Sequence, residues 1–479
     1  MWTACSGGGG LSLSPATNLP ATTPTGAASG PTKSPSTSAT PSATATPSTA
    51  PTAGPTKAPT AAPTAAPTAT PTAAPTASGV VSNASGSGWD ARSLVDSVGM
   101  NGTFTDASFA NQKSLLYGSG ALHYRYSIGD LYNDAQATAN AKDMCGHGLT
   151  LDLITDRFHS MAQIGSVLAS LPASCVATLE GPNENDNDSQ GVQYDPNYAI
   201  DLPAFMAALH KAFPHFPIIA PALTSTAAYV NVGDLGLAST LGNMHDYSPG
   251  FFPGIGGWGG LISPNPVCCY GSILWNIADA QLSVPFKPAA STESGYCVAP
   301  VGGCVPLDVQ AKYIPRLILE HWLDGVPFSY LYALEATDAT TNGGTLALVA
   351  TTGTPYPAYY TLQSLQSTMA GDAPASDPIA LSGGDATVRH VTMQDSAGHL
   401  HVALWLEAES YNPNANGGLG AEVSVPSQSV QLSDGSVTAT GTLTTCSVET
   451  TGQCSTSQVP IVSGAATITL TDAVQVLTI

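Results

Sequence analysis

The feature that most constrains this chain is an alternation, repeated eight times, of short apolar runs and amphipathic stretches between about residues 86 and 369. Nearly continuous apolar runs are typical of strands buried on both faces, and apolar residues spaced three or four apart are typical of helices that cover a sheet. The predicted strands are 94–100, 121–128, 149–155, 175–179, 218–220, 242–247, 287–293 and 327–333. Eight such units in about 290 residues predict an α/β fold, a (β/α)8 TIM barrel.

The helix predicted at 307–323 shows the pattern most clearly. Its apolar face carries Tyr313, Ile314, Leu317, Ile318 and His321. Pro315 is expected to kink this helix, and Gly325 is placed to end it.

After about residue 374 the helical period disappears. Alternating or β-branched runs occur at 388–393, 399–407, 423–432, 436–443, 466–470 and 474–479, separated by Gly, Asp and Ser. This pattern predicts a small antiparallel β-sandwich. We therefore assign residues 80–373 to the barrel and 374–479 to the sandwich.

The first part of the chain has a different composition. Residues 11–79 consist largely of Pro, Thr, Ala and Ser, which offer too little apolar surface to offset the entropy of ordering, so a disordered linker is predicted. Residues 1–10 resemble the remnant of a bacterial lipoprotein signal in which Cys5 would carry a lipid anchor; a chance cysteine near a terminus is the alternative. We expect a protein that is secreted or anchored to the outer cell surface.

Charge excludes two classes of partner. The 33 acidic residues outnumber the 12 basic ones, and the formal net charge of −21 repels nucleic acid and anionic membranes. No apolar run is long enough to cross a membrane. We expect a monomer.

The nine cysteines indicate an oxidising compartment, because eight of them remain once Cys5 is set aside. Cys297–Cys304 and Cys446–Cys454 are close enough in sequence to close single loops, and Cys145–Cys175 could join neighbouring elements. Cys268 and Cys269 then form either a vicinal bridge or a crossed arrangement with the others. No C-x-x-C or H-x-x-H spacing occurs, so we expect no metal site and no cofactor.

Two glutamates stand at the ends of predicted strands. Glu184 follows the fourth strand within Leu-Glu-Gly-Pro-Asn-Glu, and Glu293 ends the seventh. Two carboxylates at the same end of a barrel are a candidate glycosidase pair. The alternatives are a solvated or calcium-binding loop at 183–188, whose side chains offer oxygen ligands, and Glu180 as the functional carboxylate of this motif.

These residues resemble the retaining glycoside hydrolases of clan A, the 4/7 superfamily. The resemblance rests on the Asn-Glu that ends the fourth strand, on Glu293, on Arg125 in the second strand and on His-Asp-Tyr at 245–247. The Thr-Pro-Tyr-Pro-Ala-Tyr-Tyr at 354–360 and the barrel followed by a sandwich are similar to members around families 39, 30 and 51.

The resemblance implies that Glu184 is the acid/base and Glu293 the nucleophile. Such a pair needs carboxyls about 5 Å apart, one protonated and one ionised, and neighbouring like charges raise the pKa of one of them. Asn183 can form a hydrogen bond with a sugar 2-hydroxyl, and Tyr247 or His245 can donate to the nucleophile. Arg125 keeps the nucleophile ionised, although a structural ion pair is its alternative role, as a core position is for His245.

Aromatic residues near these strand ends are candidates for contacts with sugar rings. Trp258, in a Gly-rich loop after the sixth strand, is the first candidate, followed by Tyr296, with Tyr270 and Trp275 behind them. We expect Trp275 to pack a helix against the barrel instead.

The eighth strand departs from the clan's pattern. The clan often has an acidic residue two positions before Glu335, where this chain has Ala333. We therefore leave the role of Glu335 open.

The resulting hypothesis is a retaining β-glycoside hydrolase that acts on a polysaccharide or oligosaccharide. A non-catalytic carbohydrate-binding or adhesion protein on a degenerate barrel is the first alternative, and a calcium-stabilised envelope module is the second. Intact glutamates at both strand ends favour the enzyme.

Overall fold

Eight parallel strands and the helices between them form the barrel that the sequence predicts. The computed structural model describes residues 94–102, 106–257, 270–300, 302–335, 345–375, 379–433, 440–448 and 452–479. Cys5, the predicted linker at 11–79, Trp258, Cys268 and Cys269 lie outside the described residues. The strands are β1 (Val98–Asn101), β2 (His123–Ser127), β3 (Thr150–Ile154), β4 (Val176–Glu180), β5 (Ile218–Ile219), β6 (Gly242–His245), β7 (Ala289–Ser294) and β8 (Ser329–Leu331).

Helices surround these strands. They are α1 (Asp106–Gly118), α2 (Ile128–Asn133), α3 (Ala135–Gly146), α4 (Met161–Ser170), α5 (Tyr198–Ala212), α6 (Thr226–Val232), α7 (Ile273–Ser283), α8 (Leu307–Leu323) and α9 (Pro357–Thr368). The bounds of α8 agree with the prediction. Gly325 ends this helix with a φ of 76°, and the Val326 amide donates to the His321 carbonyl over 2.9 Å, which is a Schellman motif.

The strands follow one another around the barrel in chain order, and β1 pairs in parallel with both β2 and β8. The circle closes where Ile219 forms a parallel bridge with Leu241, just before β6. There the Ala220 amide donates to the Leu241 carbonyl over 2.9 Å. Because all strands run in one direction, their carboxyl ends meet at one mouth.

Polar side chains fill the centre of this barrel, where bulky apolar side chains are usual. The buried inward-facing residues include Asn101, Arg125, Asp152, Thr178, Glu180, Asn243 and Thr292. Glu180 accepts from Arg125 Nε over 2.6 Å and from Arg125 Nη2 over 2.8 Å. Asn243 Nδ2 donates to the same carboxylate over 2.9 Å. Buried polar groups are tolerated because they are hydrogen-bonded to one another.

The pKa values of the two buried carboxyl groups in this cluster are shifted in opposite directions. Burial lowers the pKa of Arg125, but the charges of Glu180 and Glu293 outweigh burial and hold that pKa well above its ordinary value. Burial raises the pKa of Glu180, and the charge of Arg125 outweighs it, so the net shift is downward and Glu180 is ionised. Burial and then the charge of Glu180 raise the pKa of Asp152 well above its ordinary value. Asp152 therefore keeps its proton at a higher pH than a solvent-exposed aspartate does.

The C-terminal part of the chain forms antiparallel sheets. Its strands are β9 (Ala373–Pro374), β10 (Ala380–Ser382), β11 (Val388–Gln394), β12 (Leu400–Leu406), β13 (Tyr411–Asn412), β14 (Ala421–Glu422), β15 (Gln428–Ser433), β16 (Gly441–Cys446), β17 (Cys454–Val459), β18 (Ala465–Leu470) and β19 (Gln475–Thr478). Six of these strands form a sheet in the order β17-β16-β19-β12-β11-β9, and three form a sheet in the order β10-β15-β18. Apolar residues from both sheets form one core, as in a sandwich.

Strand β12 is buried on both faces. Val402, Leu404 and Leu406 belong to the core of the sandwich, whereas Ala403 and Trp405 belong to the core of the barrel and its helices. Most of α8 is likewise buried, because it lies between the barrel and the sandwich. The barrel and the sandwich belong to one compact unit.

Three disulfide bonds are present among the described residues. They join Cys145 to Cys175, Cys297 to Cys304 and Cys446 to Cys454. The two loop-closing bonds confirm the expected pairings, and the bond between neighbouring elements is one that the sequence left open. All three are compatible with a secreted protein. Within the described part of the chain, none of the helices combines the length and the apolar character needed to span a membrane.

Several strands of the sandwich differ from the sequence prediction. The short strands β9, β10, β13 and β14 lie outside the predicted runs. Strand β17 lies outside them too, because its residues are nearly all exposed and polar and so lack alternation; it forms by pairing with β16, where Cys446 faces Cys454. Of the run predicted at 423–432, residues 428–432 form part of β15, whereas the first part, which contains Pro426, does not join a ladder, because proline cannot donate to one.

The charge distribution inside the barrel predicts opposite effects for two substitutions. Asp152→Asn keeps the shape of the side chain and removes a carboxyl group whose charged form is disfavoured by burial and by Glu180, so the free energy of unfolding at pH 7 should be unchanged or higher. Glu180→Gln breaks a buried ion pair and should lower it by about 3–5 kcal/mol. Because the folded pKa of Asp152 is raised, the free energy of unfolding that this residue costs grows as pH rises above about 3.9. Any increase in the free energy of unfolding caused by Asp152→Asn should therefore be larger at pH 7 than at pH 4. Guanidinium denaturation measures the free energy of unfolding of both variants. Equal decreases in the two variants would contradict the conclusion that Glu180 is ionised and that burial disfavours a charge on Asp152.

Candidate active site

The ends of β2, β4, β6 and β7 bring the predicted functional side chains to the mouth of the barrel. Arg125 comes from β2, His245 is the last residue of β6, and Glu293 lies one residue before the end of β7. Glu184 follows β4 by four residues, and Tyr247 follows β6 by two. Strand order places β6 and β7 side by side, so residues distant in sequence meet here.

Glu184 is held in an uncommon backbone conformation. Its φ of 43° lies in the left-handed region, which non-glycine residues occupy rarely and mostly at special sites. The Glu184 amide donates to the Ala222 carbonyl over 3.0 Å, which ties this turn to the segment after β5. Asn187 Nδ2 donates to Glu184 Oε2 over 3.0 Å. The carboxyl group is thus fixed by its own turn, and its side chain remains 14% exposed.

Two donors bind the carboxylate of Glu293. Arg125 Nη1 donates to Glu293 Oε1 over 2.6 Å, and the Tyr247 hydroxyl donates to Glu293 Oε2 over 2.9 Å. Burial and then the charge of Glu293 hold the pKa of Tyr247 well above its ordinary value, so the phenol remains a donor at neutral pH. Of the two donors that the sequence suggested for this carboxylate, Tyr247 makes the hydrogen bond.

His245 contacts the other glutamate instead. Its Nδ1 lies 2.7 Å from Glu184 Oε1 and 3.7 Å from Glu293 Oε2. Its Nε2 lies 3.1 Å from the hydroxyl of Thr292, and that hydroxyl donates to Asn243 Oδ1 over 2.8 Å. The Thr292 oxygen therefore accepts from His245 Nε2–H. His245 Nδ1 and Glu184 Oε1 then hold one proton between them.

The separation of the two carboxyl groups determines which chemistry they can perform. One carboxylate oxygen of Glu184 and one of Glu293 lie within 4.8 Å of each other, and His245 Nδ1 lies within the same distance of both. Retaining glycosidases need about 5 Å between the groups, whereas inverting enzymes leave about 6.5–9.5 Å for a water molecule. The geometry suits a nucleophile beside an acid.

Comparison with solved structures gives the same fold. A family 39 glycoside hydrolase from the gut symbiont Bacteroides cellulosilyticus WH2 matches with a TM-score of 0.53 at 14% identity, over 82% of each chain. A family 51 α-L-arabinofuranosidase from Thermotoga petrophila RKU-1 matches with a TM-score of 0.54 at 10% identity, over 81% of this chain and 97% of the other. The catalytic domain of a family 30 xylanase C from Talaromyces cellulolyticus gives 0.52 at 10% identity, over 81% and 97%.

These chains share a fold with ours. No family model and no curated protein matches the sequence. The resemblance to families 39, 30 and 51 is therefore confirmed at the level of architecture.

Asn183 precedes Glu184 in the chain and contacts the arginine that binds Glu293. Its Oδ1 accepts from Arg125 Nη2 over 2.6 Å, so the amide nitrogen is the group that can donate to a ligand. Arg125 thus binds Glu180, Asn183 and Glu293 at once. The same guanidinium therefore makes a buried ion pair with Glu180 and the contact with Glu293 on which its expected site role depends.

Tyr332, just after β8, also faces the site, and the sequence analysis did not single it out. Burial and then the charge of Glu293 raise its pKa to about 12. The signal for it in the sequence is an aromatic residue at the carboxyl end of the last barrel strand.

Neither alternative reading of this motif is supported by the contacts. Glu180, the alternative functional carboxylate, is fully buried in the barrel centre, below the mouth. The calcium-binding alternative concerns the loop at 183–188. Asp186 accepts from the amide and the hydroxyl of Thr224, and Asn185 Nδ2 donates to the Gln193 carbonyl. These side chains face different neighbours and do not converge on a calcium ion.

Glu184, His245 and Glu293 are also a possible set of metal ligands, and they are the one such group among the described residues. Two observations oppose that role. Arg125 Nη1 places a fixed positive charge 2.6 Å from Glu293 Oε1, and Asn187 donates to Glu184. Donors that already bind the carboxylates favour proton transfer over cation binding.

The aromatic candidates divide. Tyr296 is 2% exposed and its ring packs against Tyr313 at 5.0 Å, so it has almost no surface to offer a sugar ring. Trp275 is buried in α7, as expected, and Tyr270 is exposed beside it. Trp258 lies outside the described residues.

Glu335 is held away from the glutamate pair. It accepts a hydrogen bond from the side-chain amide of Gln112 in α1. Burial raises its pKa.

The contacts of His245 predict its titration. Burial lowers its pKa, but the charges of Glu293 and Glu184 and the hydrogen bond to Glu184 outweigh burial, so the net shift is upward from 6.5. Charged His245 should therefore stabilise the fold fully below about pH 6.5, and that contribution should disappear as pH rises through the folded pKa. In ¹⁵N-histidine NMR, Glu293→Gln and Glu184→Gln should each lower this pKa, whereas Asp395→Asn, which removes the exposed partner of His399, should not. A wild-type pKa at or below 6.5 would show that the two glutamates do not outweigh the burial of His245.

Proposed function

We propose that this protein is a retaining β-glycoside hydrolase that acts on a polysaccharide or oligosaccharide by double displacement. The observation that carries the proposal is the glutamate pair, with oxygens within 4.8 Å and with different donors on each member. Arg125 and Tyr247 bind Glu293, which suits a nucleophile that must be ionised. His245 binds Glu184, which suits a group that must gain and lose a proton.

In the first step, Glu293 attacks the anomeric carbon while the proton held by Glu184 and His245 passes through Glu184 to the leaving oxygen. The bond from the anomeric carbon to that oxygen breaks, and an ester to Glu293 forms. Arg125 stabilises Glu293 before attack, and Tyr247 keeps a hydrogen bond to Oε2. The Asn183 amide nitrogen is placed to donate to the sugar 2-hydroxyl.

In the second step, Glu184 accepts a proton from water, and that water attacks the anomeric carbon from the side the leaving group vacated. The ester breaks and Glu293 returns as a carboxylate. Two inversions retain the configuration. His245 assists by sharing the proton that Glu184 alternately releases and takes up, so neither step creates a second uncompensated charge in a largely buried site.

The non-catalytic alternative is less well supported. A binding protein on a degenerate barrel has no need of two carboxylates at retaining distance, nor of an arginine that keeps one of them ionised. Binding without turnover by the wild-type protein would nevertheless favour it.

The remaining chain organisation is part of the proposal. The chain would carry a spacer at 11–79 before a barrel at 80–373 and a sandwich at 374–479, and the protein would act as a monomer. It would act outside the cytoplasm, secreted or held at the cell surface through Cys5. The three disulfide bonds support an oxidising compartment.

The two glutamates should give different kinetic signatures. Glu184→Ala should lose about 10²–10⁴-fold in turnover of glycosides with poor leaving groups, and less for activated aryl glycosides, which need little protonation. Added azide should restore turnover and give a β-glycosyl azide. Glu293→Ala should be inactive on both substrates, and azide should give only the α-product, because attack then occurs once and from the opposite face.

Glu422→Gln, an exposed substitution in the sandwich, is the matched control and should keep wild-type rates. Exchanged signatures would reverse the two roles. Full activity in both alanine variants would place the catalytic groups elsewhere.

A further inference from the structure

The loop after β6 runs from the candidate active site to the sandwich. It begins next to Tyr247, whose hydroxyl binds Glu293, and reaches Gly254 seven residues later. At Gly254 the backbone amide donates to Glu407 Oε1 of the sandwich over 2.8 Å. The carboxyl ends of barrel strands surround the mouth, so this loop forms part of its wall.

Glu407 is bound by four donors. Its Oε1 accepts from Gly254 and from Arg316 Nη2, each over 2.8 Å. Its Oε2 accepts from Arg316 Nε over 2.9 Å and from Trp405 Nε1 over 2.7 Å. The side chain is 1% exposed and that of Arg316 is 0% exposed. Charge-assisted hydrogen bonds to a buried carboxylate are strong and directional.

Every hydrogen-bond donor of Arg316, in α8, is used as well. Beyond its two bonds to Glu407, Nη1 donates to Ser410 Oγ over 3.3 Å and to the Asp472 carbonyl over 3.4 Å. Nη2 also donates to the Ala408 carbonyl over 2.8 Å. All five guanidinium N–H groups therefore have acceptors. The pair is fixed by α8 and the sandwich, so it offers the loop a rigid point of attachment.

Other contacts join the loop after β6 to the sandwich and to α8. A Cβ at Gly250 would lie 3.0 Å from Pro413 Cβ in the sandwich. Arg316 Cζ, in α8, lies 5.9 Å from the ring centre of Phe252 in the loop. The loop after β7 is similar, since a Cβ at Gly302 would lie 2.6 Å from the Gly418 carbonyl oxygen. Two loops that leave the strands of His245 and Glu293 thus rest on the sandwich.

We propose that Glu407 is a positioning residue for the substrate cleft, which holds the loop after β6 through the Gly254 amide, so that the cleft is complete only with the sandwich in place. The proposal rests on the proposed glycosidase function. A purely structural ion pair would need only the three hydrogen bonds that Arg316 and Trp405 donate to Glu407. The fourth hydrogen bond to this carboxylate comes from Gly254, in the loop that leads directly from the site.

Gly254→Ala tests this contact without removing a charge. The new Cβ would lie 2.5 Å from Glu407 Cγ, so the loop must move away. Gly256→Ala is the matched control, because a Cβ there meets nothing within 4 Å. We expect Gly254→Ala to raise KM for an oligosaccharide about tenfold, the value of one charged hydrogen bond, with kcat on a small aryl glycoside nearly unchanged. Gly256→Ala should leave both unchanged.

A second readout does not depend on activity. Hydrogen exchange of peptides covering 248–257 should be faster in Gly254→Ala than in the wild type and unchanged in Gly256→Ala. If Glu407→Gln folds, it should show the same faster exchange. Equal exchange in all variants, or equal KM in the two glycine variants, would overturn the proposal. If Glu293→Gln kept wild-type activity, the proposed function would fail, and the exchange data would still decide whether Glu407 holds the loop.

Discussion

The guanidinium of Arg125 is the interaction on which the candidate site depends. It lies inside the barrel with its whole side chain shielded from water, and it binds Glu180 below, Asn183 beside it and Glu293 at the mouth. A buried arginine alone would be very unfavourable. Glu180 makes the burial tolerable, and Glu293 gains a charged hydrogen-bond donor that is itself shielded from water. In the same cluster, burial and the charge of Glu180 raise the pKa of Asp152 well above its ordinary value.

The second glutamate has a different environment because it comes from a turn and not from a strand. Glu184 has a left-handed backbone, and its carboxyl group faces His245 and Asn187. Arg125 makes no hydrogen bond to it. Two carboxylates within 4.8 Å thus differ in partner, and a difference in partner is what allows one to remain ionised while the other exchanges a proton.

The sandwich adds a constraint from outside the barrel. Helix α8 is buried by the barrel on one side and by β12 on the other, and its Arg316 anchors Glu407. Since Glu407 also binds the Gly254 amide, the position of an active-site loop depends on how the two parts pack. The sequence of α8 is that of an ordinary amphipathic helix, and the contact with Glu407 explains why it nevertheless carries a buried arginine, Arg316.

The sequence by itself determined the parts that depend on local pattern. Apolar runs placed the eight strands, the 3.6-residue period and Gly325 placed α8, and the Asn-Glu motif with Glu293 identified the pair, because these signals are carried by neighbouring residues. Tertiary structure decided what depends on which distant groups meet. It assigned Tyr247 to Glu293 and His245 to Glu184, buried Tyr296 against Tyr313, joined the polar strand β17 to β16, and connected Glu407 to Gly254 across 153 positions. Charge balance and burial are sums over the whole fold, so no local pattern in the chain encodes them.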